Sequence, residues 1–189
     1  LARGPRHGLD RASAREPLAA LAYQYRHPVA RGRHAVARLR ELFARALDYP
    51  LPRTAADFGL ERQRFARPAS YPYVVFLHAT SWPSKHYPET AWITLGRLAN
   101  AAGYRVCLPG GDAAGATRAT RLATALGDAE VLPPGGLGEL AAVLAGASAV
   151  VGVDTGLSQL AAALGVPGLT LFGATSADLT APLGTVQEN

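Results

Sequence analysis

Apolar and polar positions follow two different patterns, one on each side of about residue 70. In the first part, "AREPLAALAYQY" and "RHAVARLRELFARAL" place apolar residues three and four positions apart, which predicts helices. The second of these segments has one apolar stripe, formed by Val36, Leu39, Leu42 (or Phe43) and Leu47. The following stretch, "DYPLPRTAADFGLERQRFARPASYP", contains four prolines and predicts a linker to a different structure.

From Tyr71 onwards, short runs of β-branched residues alternate with segments rich in Ala and Leu. The pattern predicts strands at "YVVFLHA", "YRVCLPG", "EVLP", "AVVGVD" and "GLTLFG", and helices at about 88–102, 113–126, 137–146 and 156–164. These strands are apolar on both faces, so they predict an α/β fold in which helices cover both faces of a parallel sheet.

The carboxyl ends of the predicted strands carry small and polar residues, and ligands bind at that edge of parallel sheets. The residues at these ends are His78, Thr80, Ser81, Gly110, Gly111, Asp112, Asp154, Thr155, Gly173 and Thr175. A ligand-binding site is therefore expected along this edge.

In "VVGVDTGLSQLAAALGVP" a buried strand ends at Asp154, and a helix begins immediately with Thr155 and Gly156. The free N–H groups and the positive dipole end of such a helix can hold a phosphate, and Gly156 would allow its close approach. The alternative is that Asp154 or Thr155 only caps the helix.

Lys85 is the only lysine among 19 lysine and arginine residues, and it lies in the loop "TSWPSKHYPETAW", which also offers the hydroxyls of Thr80 and Ser81. An ammonium group on a flexible stem suits a phosphate, although a lone lysine is more often a solvated surface residue. Because Asp154 follows a strand at the same edge, the two segments together predict a phosphate site.

Four other residues have structural interpretations. His78 is interpreted as a structural histidine, and Cys107 inside a strand as a core residue. Trp82 and Trp92 are interpreted as packing residues. The loop position of Trp82 leaves open that it stacks on a base.

The composition excludes several classes of protein. A hydrophobic share of 49% and a charged share of 17% fit a folded protein, and no apolar run reaches the roughly 20 residues of a membrane-spanning helix. One cysteine cannot form an internal disulfide, which favours a cytoplasmic setting. There is no GxGxxG, no P-loop and no Cys or His cluster at metal-ligand spacing, so a dehydrogenase, a P-loop nucleotidase and a metal site are not expected. The absence of Met predicts a fragment of a longer chain.

Charge is distributed unevenly between the two parts. Residues 1–70 contain fourteen arginines and six acidic residues, a net charge of +8, whereas residues 71–189 have a net charge of −3. The two parts are therefore expected to have different functions. The basic part fits a nucleic acid, an acidic glycolipid, a membrane surface or solvent alone, and because no nucleic-acid-reading motif is present, nucleic acid is not a predicted partner.

Three stretches resemble the ADP-heptose:lipopolysaccharide heptosyltransferases of glycosyltransferase family 9: "FLHATSWPSKHYPETAW", "VLPPGGLGELAAVLAGASAVVGVDTGLSQLAAALGVPGLTLFGATS" and "REPLAALAYQYRHPVARGRHAVARLRELFARALDY". The resemblance implies a two-domain GT-B fold. Residues 1–66 would be the helical end of the N-terminal, acceptor-side domain with a linker. Residues 71–189 would be a Rossmann-like nucleotide-sugar-binding domain, incomplete at its end.

The resemblance also implies an activity and its partners. The reaction would be transfer of a heptose, with inversion, from ADP-heptose to the Kdo inner core of lipopolysaccharide, without a cofactor or a metal. The acceptor would be of the Kdo-lipid A type, met at the cytoplasmic face of the inner membrane. The base would be an aspartate early in the N-terminal domain, so no catalytic residue is assigned in this chain. The alternative is a non-catalytic module that binds a nucleotide or nucleotide sugar.

Site residues follow from the resemblance position by position. Thr80, Ser81, Thr155 and Gly156 would lie at the donor diphosphate, Lys85 near phosphate and sugar, and Asp154 at the heptose, with Gln159 also on the donor side. The weaker acceptor-side candidates are Arg26, Arg31 and Arg33. Two positions depart from the family pattern, because Gln159 replaces the last residue of D-T-G-L-S-H and Gly115 replaces an acid near the ribose. Asp112 is the nearby substitute for that acid.

Overall fold

The computed structural model describes residues 3–65, 69–184 and 187–188. It divides into two compact units, the first built from residues up to Ala55 together with Asp178–Thr180, and the second from the rest. Each unit has its own parallel sheet, with two strands in the first and six in the second. Among the described residues, no helix has the length and apolar character needed to cross a lipid bilayer.

The first unit contains a pair of short strands and one long helix. Strand β1 is His7–Leu9, strand β2 is Tyr25–His27 and helix α1 is Ala35–Leu47. A 3-10 helix at Pro17–Ala22 connects the two strands, which pair in parallel. The spacing of apolar residues predicts helices in the basic part of the chain. The structure shows that this part also contains two strands.

The prediction of a helix over the whole of "AREPLAALAYQY" is wrong. Only Pro17–Ala22 is helical, and Tyr23 is already extended before β2. The ring of Tyr23 packs directly over Gly8 of β1, where an added Cβ would lie 2.3 Å from the ring. This contact and the pairing of β1 with β2 outweigh the helical spacing, because tertiary contacts override weak local propensity.

Helix α1 confirms the second helix predicted in the basic part. It begins after His34, whose ring nitrogen accepts a hydrogen bond from a backbone N–H of the first turn, and it is buried at Ala44. The predicted apolar stripe is buried only in part, because Val36 and Leu42 are half-buried. Leu39, Phe43 and Leu47 are each more than half exposed.

The second unit confirms the predicted α/β fold. Its strands are β3 (Tyr73–Leu77), β4 (Arg105–Pro109), β5 (Ala129–Leu132), β6 (Ala149–Val153), β7 (Gly168–Leu171) and β8 (Gln187–Glu188). Its helices are α2 (Arg62–Phe65), α3 (Glu89–Ala101), α4 (Ala113–Leu126), α5 (Leu137–Gly146) and α6 (Gly156–Ala163). The last helix, α7 (Ala177–Thr180), belongs to the first unit except for its first residue. The strand order is β5-β4-β3-β6-β7-β8, and all neighbours are parallel.

Every strand and helix predicted between Tyr71 and Gly173 is present, with bounds within two residues of the prediction. The strands end one or two residues earlier than predicted at the functional edge. His78 and Asp154 therefore begin the loops that follow β3 and β6.

Helices cover both faces of the six-stranded sheet. Val75 and Leu77 of β3 pack in one core cluster with residues of α5 and α6, whereas Phe76 packs in a second cluster with residues of α3 and α4. Because successive residues of a strand point to opposite faces, the two clusters lie on opposite sides of the sheet.

The predicted linker contains a short helix that the prolines do not reveal. Helix α2 lies within it, and the guanidinium of Arg62 donates to the carbonyls of Ala145 and Ala147, both at 2.7 Å. The last carbonyl groups of a helix have no hydrogen-bond donor within the helix, so Arg62 supplies the donors at the end of α5. Part of the linker is thus docked on the second unit.

Candidate ligand-binding site

The loops after β3, β6 and β7 meet at the side chain of Asp154. The ammonium of Lys85 donates to Asp154 Oδ2 at 2.7 Å, and the hydroxyl of Thr175 donates to the same oxygen at 2.8 Å. The side chains of Lys85 and Asp154 are only 21% and 12% exposed. The structure therefore brings together the two charged residues that the sequence predicted at one site.

Thr175 is a member of this cluster that sequence reasoning identified only as a polar residue at a strand end. Its partner is 21 positions away in the chain, and the bond depends on where β6 and β7 end. The only available signal was the expectation that both strands end at the same edge of the sheet.

Helix α6 begins at the same edge, directly after Asp154. Thr155 caps it, with its hydroxyl accepting from the Ser158 amide at 3.4 Å. Of the two predicted alternatives for a cap, Thr155 is therefore the cap, and Asp154 instead pairs with Lys85. The Ser158 hydroxyl turns inward to the carbonyl of Val153 at 2.8 Å, which fastens the start of α6 to the end of β6.

Gly156, the first residue of α6, is exposed to open space. A Cβ added there would meet no atom within 4 Å among the described residues. The described residues thus leave room for a side chain at position 156, and the glycine leaves the start of the helix open.

A cavity of about 650 Å³ joins these elements. Its polar lining consists of Thr80, Ser81, Lys85, Asp154, Thr155 and Gly156. Gln159 is half-buried one turn into α6 and is not among the described residues that line the cavity. Six of the seven predicted donor-side residues therefore share one cavity.

The cavity also has an apolar wall, which includes Trp82 and Leu137. Both are largely exposed, at 63% and 66%. The interpretation of Trp82 as a packing residue is wrong, because its loop carries it onto the cavity rather than into a core cluster. Trp92, by contrast, is fully buried with its ring 5.0 Å from that of Phe76, which confirms its packing role.

A second hollow of about 590 Å³ lies on the α4 side of the same loop and shares Thr80 and Ser81 with the first. Asp112 lines it and caps α4, its Oδ1 accepting from the Gly115 amide at 2.8 Å. A Cβ on Gly115 would lie 2.1 Å from the carbonyl oxygen of Gly110. No side chain fits at position 115 with this backbone, so the carboxylate of Asp112 is the acid available there.

His78 follows β3 and is fully buried, as expected for a structural histidine. Burial lowers the pKa of His78 to about 4, and the positive charge of Arg118 contributes to the shift. Cys107 is buried in the core, as predicted, and burial raises the pKa of its thiol to about 12. Both side chains are neutral at physiological pH.

The three acceptor-side arginines belong to the first unit. Arg26 is exposed on β2, Arg31 donates to the Ala14 carbonyl, and Arg33 forms an ion pair with Glu41. Their predicted contact with an acceptor stays a prediction. In the described residues, no group of three or more His, Cys, Asp or Glu side chains is arranged to hold a metal ion.

Comparison with known proteins finds similarity along the whole chain. The family model described as glycosyltransferase family 9 (heptosyltransferase) matches residues 1–189. Lipopolysaccharide heptosyltransferase 1 from Pseudomonas aeruginosa is 53% identical over 184 residues, which are 97% of this chain and 52% of that protein. The chain thus spans about half the length of this curated relative.

Solved structures are similar over the same extent. The E. coli heptosyltransferase WaaC with ADP matches with a TM-score of 0.88 and 45% identity, covering 99% of this chain and 59% of that one. The same enzyme with ADP-2-deoxy-2-fluoro heptose matches with a TM-score of 0.82 and 45% identity, over 98% of this chain and 58% of that one. These matches confirm the predicted GT-B class of α/β fold.

Proposed function

Because the chain belongs to glycosyltransferase family 9, the heptosyltransferase family, we propose that it carries the donor-binding half of an inverting heptosyltransferase. The donor is ADP-heptose, and the acceptor is the Kdo inner core of lipopolysaccharide. The observation that carries the proposal is the cavity in which the Lys85–Asp154 pair adjoins the start of α6. In this assignment residues 71–189 bind the donor, and residues 1–66 belong to the acceptor side.

The diphosphate binds between Lys85 and the start of α6. The ammonium supplies a mobile positive charge, and the N–H groups after Thr155 supply fixed donors together with the helix dipole. Gly156 keeps this surface open, since a Cβ added there would meet no described protein atom within 4 Å. As ADP departs it gains negative charge, and these preorganised groups stabilise that charge in the transition state.

The heptose lies beside Asp154. Lys85 and Thr175 both donate to Oδ2, so they hold this oxygen in place, and Oδ1 is the oxygen that accepts hydrogen bonds from sugar hydroxyls. A mostly buried carboxylate held in this way discriminates between a donor that offers hydroxyls and one that does not, because an unpaired buried acceptor is costly.

The adenine ring lies against the apolar wall of the cavity. Trp82 and Leu137 present exposed apolar surface on the same cavity as the phosphate groups. A planar base gains both area burial and stacking on an indole. This role accounts for an exposed tryptophan in a loop where solvent would otherwise favour a polar residue.

In this proposal the first unit binds the acceptor and contacts the membrane. Its excess of positive charge, including Arg26, Arg31 and Arg33, suits a phosphorylated glycolipid at the cytoplasmic face of the inner membrane. The E. coli relative was solved with ADP and with a fluorinated ADP-heptose, which supports the donor class. The name of the Pseudomonas aeruginosa relative supports a lipopolysaccharide acceptor.

Calorimetric titration of the chain with ADP, and separately with NAD, tests the donor assignment. ADP is expected to bind, NAD is expected not to bind, and Lys85→Ala is expected to weaken ADP about tenfold or more, because it removes a charged partner of the diphosphate. Arg97→Ala is the matched control, since Arg97 is an exposed cation on α3. ADP affinity that is equal in the wild type and Lys85→Ala would overturn the proposal.

A further inference from the structure

A hydrogen bond from a histidine ring joins the two ends of the loop that carries Lys85. Nε2 of His86 lies 2.9 Å from the carbonyl oxygen of Thr80, so the ring bridges the two ends of the segment 80–86. Within the segment a 3-10 turn at Pro83–Lys85 is held by the bond from the His86 amide to the Pro83 carbonyl at 3.0 Å. The His86 ring therefore restrains the segment that contains Lys85.

Arg118 of α4 contacts the other nitrogen of the His86 ring. Its Nη1 is 3.3 Å from Nδ1 of His86, and its Nη2 donates to the carbonyl of Tyr87 at 2.5 Å. The Arg118 side chain is only 12% exposed, and Glu89 lies 3.9 Å from it. These contacts fasten the loop after β3 to the neighbouring helix.

The chemistry of the guanidinium fixes the hydrogen-bond roles of the His86 ring. Arginine only donates hydrogen bonds, so Nδ1 of His86 accepts from Arg118, and Nε2 carries the proton that is donated to the Thr80 carbonyl.

We propose that His86 and Arg118 form a clasp that positions the phosphate-binding loop. Neither residue lines the cavity that holds Lys85 and Asp154. Both line the second hollow on the α4 side of the loop, and His86 contacts the loop at Thr80. This inference rests on the proposed function and adds two positioning residues to it. Release of the clasp frees Thr80 and Lys85 from their places at the diphosphate.

Calorimetric titration with ADP tests the clasp in five proteins at neutral pH and fixed salt. His86→Leu and Arg118→Met are expected to weaken ADP about tenfold, whereas His86→Gln, which keeps one donor and one acceptor, stays within about threefold of the wild type. Arg121→Met is the matched control, because it removes a positive charge from the same hollow without touching His86. It is expected to stay within about threefold.

Rescue by glutamine separates positioning from a merely structural role, because glutamine keeps a donor and an acceptor at position 86 whereas leucine keeps neither. A loss of ADP affinity in His86→Gln as large as in His86→Leu overturns the clasp, even where Arg118→Met fails to fold.

The two proposals fail in different ways. No ADP binding by the folded wild type overturns the proposed function, and the clasp with it. ADP binding that responds to Lys85→Ala but is unchanged in His86→Leu and Arg118→Met overturns the clasp alone.

Discussion

The ammonium nitrogen of Lys85 lies 2.7 Å from Oδ2 of Asp154, although the two residues are 69 positions apart in the chain. Both side chains are mostly buried, so each charge is stabilised by the other rather than by water. The pair stands where the loops after β3 and β6 meet. A ligand that enters must bind both partners or separate them.

Thr175→Val is expected to loosen Asp154 with little change in shape. The substitution removes one hydrogen bond to Oδ2, which costs about 1 kcal/mol of unfolding free energy and weakens ADP-heptose binding about threefold to tenfold. Urea titration and calorimetry measure the two effects. Thr94→Val is the matched control, because the Thr94 hydroxyl is exposed and donates to the Thr90 carbonyl of its own helix at 3.0 Å. Equal donor affinity in both variants would contradict a role for Thr175 in the site.

Gly156→Ala is expected to leave the fold intact and to weaken ADP at least about tenfold. The added methyl group meets no described protein atom, yet it stands over the helix start where the diphosphate binds. Gly138→Ala on α5 is the control, since position 138 is equally open and lies near a helix N-terminus. The prediction fails if the two variants bind ADP alike.

Gly115→Glu, which introduces an acid near the predicted ribose, is expected to destabilise the protein instead of improving nucleotide affinity. The new Cβ would lie 2.1 Å from the Gly110 carbonyl oxygen, and overpacking of this kind costs about 1–3 kcal/mol of unfolding free energy. Urea titration measures the loss, with Gly138→Ala again as the control. A stable Gly115→Glu variant with higher ADP affinity would show that the loop at Gly110 rearranges.

Mild acid is expected to destabilise the folded state, because the imidazole of His78 is protonated more easily in the unfolded chain. Burial holds its pKa at about 4, below the value of 6.5 in the unfolded chain, so only the unfolded chain binds this proton between the two values. The free energy of unfolding therefore falls as the pH drops through this window, by up to about 3 kcal/mol. Urea titrations at about pH 7 and about pH 4.5 should show this loss in the wild type and a smaller one in His78→Leu. Equal losses would contradict a buried neutral imidazole.

The sheet could be predicted from the sequence because its signals are local. Apolar runs such as "YVVFL" are short and bounded, and each helix between them has a regular apolar spacing. The same rule failed over "AREPLAALAYQY", where the contact of Tyr23 with Gly8 decides the conformation. That contact joins residues from different elements, so no window along the chain contains it.

Some residues of the candidate site could likewise be predicted from the sequence, and others could not. Lys85 and Asp154 could be predicted to share an edge because both follow strands of one parallel sheet. The link from Arg118 through His86 to Thr80 could not, because it depends on side-chain rotamers across 32 positions. The exposure of Trp82 was also missed, since a tryptophan in a sequence favours a buried position unless a cavity is known.

The central claim is that Lys85 holds the diphosphate and Asp154 the sugar. Calorimetric titration of wild type, Lys85→Ala and Asp154→Asn with ADP and with ADP-heptose tests it most directly. Lys85→Ala should weaken both ligands by a similar factor, while Asp154→Asn should keep ADP affinity and lose most of the preference for ADP-heptose over ADP. If Asp154→Asn weakens ADP and ADP-heptose equally, or if Lys85→Ala weakens neither, the assignment of these two residues is contradicted.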